Sequence, residues 1–398
     1  MAQNFRIIPD EAFSSKAIIR IRDIDAIVHN YNLFKAKADK TGTICAAVLK
    51  GDVYGLGIKD VAPALYRDGA RYFFIEELGE GIELRGLLPF NDIHIYALGG
   101  LLHNEEEYFK QYNIVPCLNS IEQLKRWNAF CARNGNGSSI IHLDTHMNRL
   151  GFLDEEVREL SENYDRLTSH LTIEFYISHF FDIKGSDPSN CYKQLEILNQ
   201  YRSILPPKPV SFACTDSVIL LDHEVFNFDM IRPGIGLVGG APNADSSISP
   251  DARHTMEVYA KLSQIKTVKK GQSIGYGGAY TTKRDLRLAL VHIGYKHGYL
   301  RLLSETDANP KGAFMFIGGY RIPLVGKISS GATTVDVTDV PQHILDEFHY
   351  AEVIGPNVDI KFLADISGCY DILGALGALN TRVADYTSED FRKVIGES

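Results

Sequence analysis

Short apolar runs recur at nearly even intervals through the first 240 or so residues, and amphipathic segments fill the gaps between them. We read eight such runs: Cys45–Leu49, Tyr72–Ile75, Ile93–Leu98, Ile114–Leu118, Ile140–Asp144, Ile173–Ser178, Val210–Cys214 and Met230–Gly234. Each has the length of a strand buried on both faces, as in a parallel sheet. Between them, Ile58–Asp68, Leu78–Gly86, Ser120–Arg133, Asp154–Leu167 and Cys191–Leu205 carry helical spacing. Asn119 precedes the third of these as its expected N-cap. Eight strands alternating with helices predict an α/β fold built on a (β/α)8 TIM-like barrel, with a doubly wound open sheet as the alternative. The helical stretch Ile24–Ala38 precedes the first barrel strand as an N-terminal extension.

The alternation stops near residue 250. Met256–Val268, Leu286–Ile293, Ala313–Ile317, Arg321–Ile328 and Thr334–Val337 read as strands joined by Gly-containing turns, closed by a helix near Tyr370–Leu379. The expected division is residues 1–250 as barrel and 251–398 as a mostly β C-terminal domain. At 398 residues, two domains are the default. A net charge of −9 argues against nucleic-acid or membrane-surface partners. No apolar stretch reaches the roughly 18 residues that cross a bilayer. The opening Met1-Ala2-Gln3-Asn4-Phe5-Arg6 has no apolar signal core. Six cysteines without CxxC pairs predict reduced thiols, with no metal site, in a cytoplasmic protein.

Barrel enzymes act at the C-terminal ends of their strands. The first strand delivers Lys50 and then Tyr54, the fifth Asp144 through Gly151 with Arg149, and the sixth Ser178-His179. The seventh delivers Thr215-Asp216-Ser217, and the eighth Arg232-Pro233-Gly234-Ile235-Gly236. Taken alone, each is an ordinary structural residue: a strand-end lysine, a helix cap, an ion-pair partner, a turn glycine. Together they place an amine, two guanidiniums, an imidazole, a hydroxyl and a glycine turn at one mouth. An amine there can form a Schiff base with a carbonyl substrate or with pyridoxal phosphate, and the loops after strands 7 and 8 are the natural phosphate site.

These stretches, with Ile293-Gly294-Tyr295-Lys296-His297-Gly298-Tyr299, resemble the bacterial alanine racemases, barrel-type pyridoxal 5'-phosphate enzymes. The motifs run in the family's order from about residue 16 to 385. The resemblance implies that the protein racemises alanine, a peptidoglycan precursor in its D-form, through two bases. Lys50 would carry the cofactor as a Schiff base and serve as one base. Tyr295 would be the other, supplied by the partner subunit of a homodimer with shared sites. Tyr54, Ser217, Gly234, Ile235 and Tyr370 would bind the phosphate. Arg149 would contact the cofactor's phenolic oxygen and the substrate carboxylate. His179 would link Arg232 to Tyr295, and Arg232 would face the pyridine nitrogen. An arginine there would not readily yield a proton, so the ring would be a weaker electron sink and transamination should be suppressed.

Four positions depart from the family pattern. His142 stands where the family often has a carbamylated lysine that orients the arginine. The usual Gly-Tyr-x-Asp-Gly segment reads Gly294-Tyr295-Lys296-His297-Gly298, and Gly55-Leu56-Gly57 replaces Gly-His-Gly. Ser330-Gly331 replaces a Met-Asp pair that lines the substrate pocket. Ser330 would keep the backbone N–H that meets the substrate carboxylate while opening space, so a larger small amino acid such as serine is an alternative substrate. A pyridoxal-phosphate-binding protein without turnover is the non-enzymatic alternative, which Tyr295 disfavours.

Overall fold

A computed structural model describes residues 6, 8–13, 15–183, 187–240, 251–368 and 384–397. It separates into two compact units: residues 27–53 with 57–252, and residues 1–26, 54–56 and 253–398.

The first unit is the barrel. All eight expected strands are present, and the sheet closes. The first strand is split at Ala46 into Ile44–Cys45 and Ala47–Val48. Its first half pairs in parallel with Met230–Arg232 and its second with Tyr72–Ile75. Around the ring follow His94–Ala97, Val115–Leu118, Gly137–His142, Leu171–Ile177 and Val210–Cys214. Every neighbouring pair is parallel. Inward side chains including Ala46, Val48, Phe74, Cys117, Ile140, Ile177 and Met230 fill the interior as one buried cluster. A TIM-type interior is thus packed rather than a pore.

Helix limits shift by a residue or two from the sequence reading, with two instructive corrections. The helix Ile121–Asn134 is capped by Ser120, whose hydroxyl accepts from the Gln123 N–H at 3.2 Å, and not by Asn119. The expected helix over 154–167 breaks at Asn163 into Asp154–Glu162 and Tyr164–Leu167. Ile24–Asp39 forms the long helix before the first barrel strand.

The second unit is organised on the 13-residue strand Met256–Val268. Its first half lies antiparallel between Ile18–Arg22 and Tyr350–Ile354. Its second half pairs with Leu286–Val291, which pairs onward with Thr333–Asp336. Phe314–Ile317 and Tyr320–Pro323 form a hairpin at one edge, so only the start of the strand expected over 321–328 is sheet. Ile18–Arg22 escaped the sequence reading because its arginines look polar. All five of its residues are buried. Arg20 and Arg22 both donate from Nε to Asp385, at 2.7 and 3.1 Å. The helix expected near residues 370–379 lies outside the described residues.

Candidate active site

Lys50 follows directly on the first barrel strand, where the Leu49 N–H donates to the Phe74 carbonyl at 2.7 Å. Its ammonium pairs with Glu76 at 3.1 Å, at the end of the second strand. The chain then winds the unusual way. Gly51, Asp52, Val53 and Tyr54 have φ of 62, 54, 57 and 54°, a left-handed turn. Left-handed geometry costs L-residues about 1–2 kcal/mol each. Two carboxylates hold it: Glu80 accepts from the Gly51 N–H at 2.6 Å, and Asp52 accepts from the Ile58 N–H at 2.7 Å. Glu80 also accepts from the Glu76 N–H at 2.7 Å, so one side chain ties the Lys50 loop to that of its ion-pair partner.

The fifth strand leads into a loop tied by Asp144. Its buried carboxylate accepts from the N–H groups of Met147 at 2.8 Å and Asn148 at 2.9 Å. The loop returns at Gly151, whose φ of 112° favours glycine and where a Cβ would stand 2.8 Å from the Asp144 nitrogen. Arg149 projects from this loop and is exposed. Behind it, His142 is buried and its Nδ1 lies 2.8 Å from the Asn119 side-chain oxygen. The Asn119 amide donates to the Leu98 carbonyl at 3.0 Å, which fixes the amide orientation. His142 Nδ1 is therefore the donor, leaving Nε2 as an acceptor. Burial first, then Arg232 and Arg149, bring this imidazole down to about 3, so it is neutral.

His179 follows the sixth strand. Burial and its neighbours Arg232, Arg149, His142 and Lys50 hold it well below the usual imidazole range. Its carbonyl and the Thr145 hydroxyl both accept from the Gln194 amide, at 3.0 and 2.9 Å. Arg232 is buried beside them, donating to the Ser211 hydroxyl at 2.6 Å and the Ser178 carbonyl at 2.7 Å. Burial lowers this guanidinium to about 10, which leaves it charged at neutral pH. Lys50, Arg149, His179 and Arg232 thus form one electrostatic group.

The remaining expected residues fall into two places. Ser217 is buried in the short helix Thr215–Leu220, and its hydroxyl accepts from the Cys214 N–H at 2.8 Å. Thr215 accepts from the N–H groups of Gly234 at 3.1 Å and Gly236 at 3.2 Å, binding the seventh-strand loop to the eighth. Ile235 lies between them. In the second unit, the Tyr295 N–H donates to the Ser329 carbonyl at 3.1 Å and the Lys296 N–H to the Ser330 carbonyl at 3.0 Å. Gly294 permits that approach: a Cβ there would stand 2.2 Å from the Ser329 oxygen. Tyr295 and Ser330 are thereby neighbours, both exposed. The Arg301 guanidinium lies 4.4 Å from the Tyr295 ring centroid. Lys296 covers Gly331, its Nζ 3.2 Å from where a Cβ would be, which narrows the space expected there. Tyr54 groups with this second unit, and Tyr370 lies outside the described residues.

Comparison with known proteins decides the family. The profiles described as "Alanine racemase, N-terminal domain" and "Alanine racemase, C-terminal domain" match residues 22–242 and 255–383. The chain belongs to the alanine racemase family. It is 35% identical to an alanine racemase of Brucella abortus over 382 residues, covering 92% of this chain and 93% of that one. It is 36% identical to one of Rhizobium meliloti over 364 residues, covering 89% and 93%. Among solved structures, the alanine racemase of Bartonella henselae with covalently bound pyridoxal phosphate superposes with a TM-score of 0.81 at 31% identity, covering 93% of this chain and 99% of that one. Sequence reasoning missed Glu76, Glu80, Gln194, Ser211 and the part played by Asn119. Gln194 lies within the helix Ser189–Ile204 and Ser211 within the strand Val210–Cys214, the others stand at a strand end or helix start, and each has a partner distant in sequence.

Proposed function

We propose that this member of the family is an alanine racemase, an isomerase that interconverts L- and D-alanine with pyridoxal phosphate held at the C-terminal mouth of its barrel. The observation that carries the reading is a single primary amine, Lys50, grouped with Arg149, Arg232 and two neutral histidines. That donor set fits the cofactor: a carbonyl for the amine, and anionic oxygens for the guanidiniums and backbone N–H groups. Bound there, the cofactor supplies a carbonyl carbon for imine formation and a conjugated ring that takes up charge from the substrate α-carbon. Lys50 tethers it and moves the α-proton on one face. Tyr295 of a second subunit moves it on the other, so the working unit is a homodimer.

Arg149 orients the substrate carboxylate. Arg232, fixed by Ser211 and Ser178, would meet the cofactor ring as a charged donor that keeps its proton. Ser217, Gly234, Ile235, Tyr54 and Tyr370 take the phosphate. The Ser217 hydroxyl and the Gly234 N–H already have partners in the chain, so phosphate binding exchanges one set of hydrogen bonds for another. Ser330 offers its N–H to the carboxylate, and Lys296 beside Gly331 adds a cation there. We assign the cofactor to residues 1–250 and the second base to residues 251–398. No described helix is long and apolar enough to cross a membrane. The described cysteines are unpaired, which supports residence in the cytoplasm.

Chiral analysis after separate incubation with L-alanine and L-serine tests the reading. D-alanine should form, with a Schiff-base absorption band that Lys50→Ala abolishes. A loaded protein that makes neither D-enantiomer would falsify it. Faster turnover of L-serine would favour the broader small-amino-acid racemase.

A further inference from the structure

The barrel has a second mouth. Ile44, Tyr72, His94, Val210 and Met230 are each the first residue of a barrel strand. Together they border a cavity of about 200 Å³ at the end of the barrel opposite Lys50. Its remaining lining is Tyr96, Phe175, Pro209, Glu174 and Asp229.

Two properties of this lining point to one ligand chemistry. The first is aromatic. The Tyr72 and His94 rings stack at 4.7 Å, and Tyr96 and Phe175 meet edge-on at 5.1 Å. The second is charge. The lining holds two carboxylates and no lysine or arginine. Glu174 accepts from the Tyr96 hydroxyl through Oε2 at 2.8 Å. Among the described residues it has no other hydrogen bond and no ion pair. Asp229 accepts from the Val210 N–H at 2.8 Å and is likewise without a cation.

Each class of ligand meets this lining differently. An anion would be repelled by both carboxylates. A neutral apolar molecule would strip water from Glu174 and return no hydrogen bond. A bare metal ion would find few oxygen ligands, because one Asp229 oxygen is already bound. A small organic cation satisfies both properties, with its charge against the carboxylates and its methyl or methylene groups against ring faces. An amino acid is excluded by its own carboxylate, so this is not a second substrate site.

We propose that the N-terminal mouth of the barrel binds a small alkylammonium ion, with Glu174, held by the buried Tyr96 hydroxyl, as counter-ion and the Tyr72–His94 pair as the aromatic wall. The cofactor-loaded protein at pH 8 can be titrated with tetramethylammonium chloride, with sodium chloride keeping ionic strength constant. Binding is followed by saturation transfer from protein to the ligand methyl protons. tert-Butyl alcohol serves as the uncharged analogue of similar shape. The expected result is saturable transfer to tetramethylammonium only, with affinity lowered about tenfold or more in Glu174→Gln. Tyr72→Leu should weaken binding as well, and racemase turnover should be unchanged in both. Tyr72→Leu is the deciding variant if Glu174→Gln does not fold. Absence of saturable transfer to the wild type, equal transfer to tert-butyl alcohol, or undiminished affinity in the variants would overturn the proposal.

Discussion

His142 shows how one substitution reshapes a site without emptying it. A neutral imidazole whose Nδ1 donates to Asn119 leaves Nε2 as an acceptor beside a group of cations. Arg232 has its partners in Ser211 and Ser178, and Lys50 has Glu76. Arg149 lies near enough to influence the His142 imidazole, and we propose that His142 helps to orient it. Substituting His142→Ala should lower kcat/KM for alanine about ten- to a hundredfold, mainly through KM. Steady-state kinetics with added 4-methylimidazole check this: partial rescue is expected, and a fully active variant would dismiss the role. A second residue invites a pH measurement. Asp216 has a buried Oδ1 with no hydrogen-bond partner among the described residues, and burial raises its carboxyl from 3.8 to about 7. The folded chain therefore holds a proton that the unfolded chain releases above pH 4. The carboxyl's stabilising contribution is complete below about pH 4 and is lost as pH rises through 7. Asp216→Asn should be more stable than wild type by about 2 kcal/mol at pH 8. The two should melt together near pH 4. A gap that does not change with pH would rule out the carboxyl as its cause.

At the scale of elements, the left-handed turn after Lys50 joins sequence to site. A Cβ at Gly51 would meet nothing within 4 Å, so the backbone alone opposes substitution. Gly51→Ala should lower stability by about 1–2 kcal/mol in urea melts, with secondary structure unchanged. A neutral effect would mean that the turn relaxes. The eight barrel strands were legible because each is an apolar run bounded by polar helix starts. Lys50, Arg149, His179 and Arg232 were legible because strand ends in a barrel converge. Other features were written in partners rather than patterns. Glu80 is an unremarkable first-turn acid in Leu78–Leu87 until it reaches the Gly51 N–H. Asn119 looked like a helix cap, and only the fold shows Ser120 capping and Asn119 turned to His142. Ile18–Arg22 was invisible because its arginines are neutralised by Asp385, hundreds of residues away.

At the scale of the molecule, the proposed division of the two bases between subunits has a direct consequence. Lys50→Ala and Tyr295→Phe should each be inactive or severely impaired alone. Unfolded and refolded together in equal amounts, they should recover about a quarter of wild-type activity, since half the dimers are mixed and each has one intact site. No recovery, with mixed dimers present, would mean that both bases come from one chain. The pairing of Ile18–Arg22 matters even before the chain is complete. Its sheet neighbours are Met256–Val268 and Ala384–Thr387. At translation rates of about 5–20 residues per second, the nearer partner follows roughly 240 residues later, on the order of ten to fifty seconds. Throughout that interval the strand waits with both edges open, and the last barrel strand, Met230–Arg232, is itself made only shortly before Met256. An unpaired strand of that kind is a template for wrong pairing until Met256–Val268 arrives.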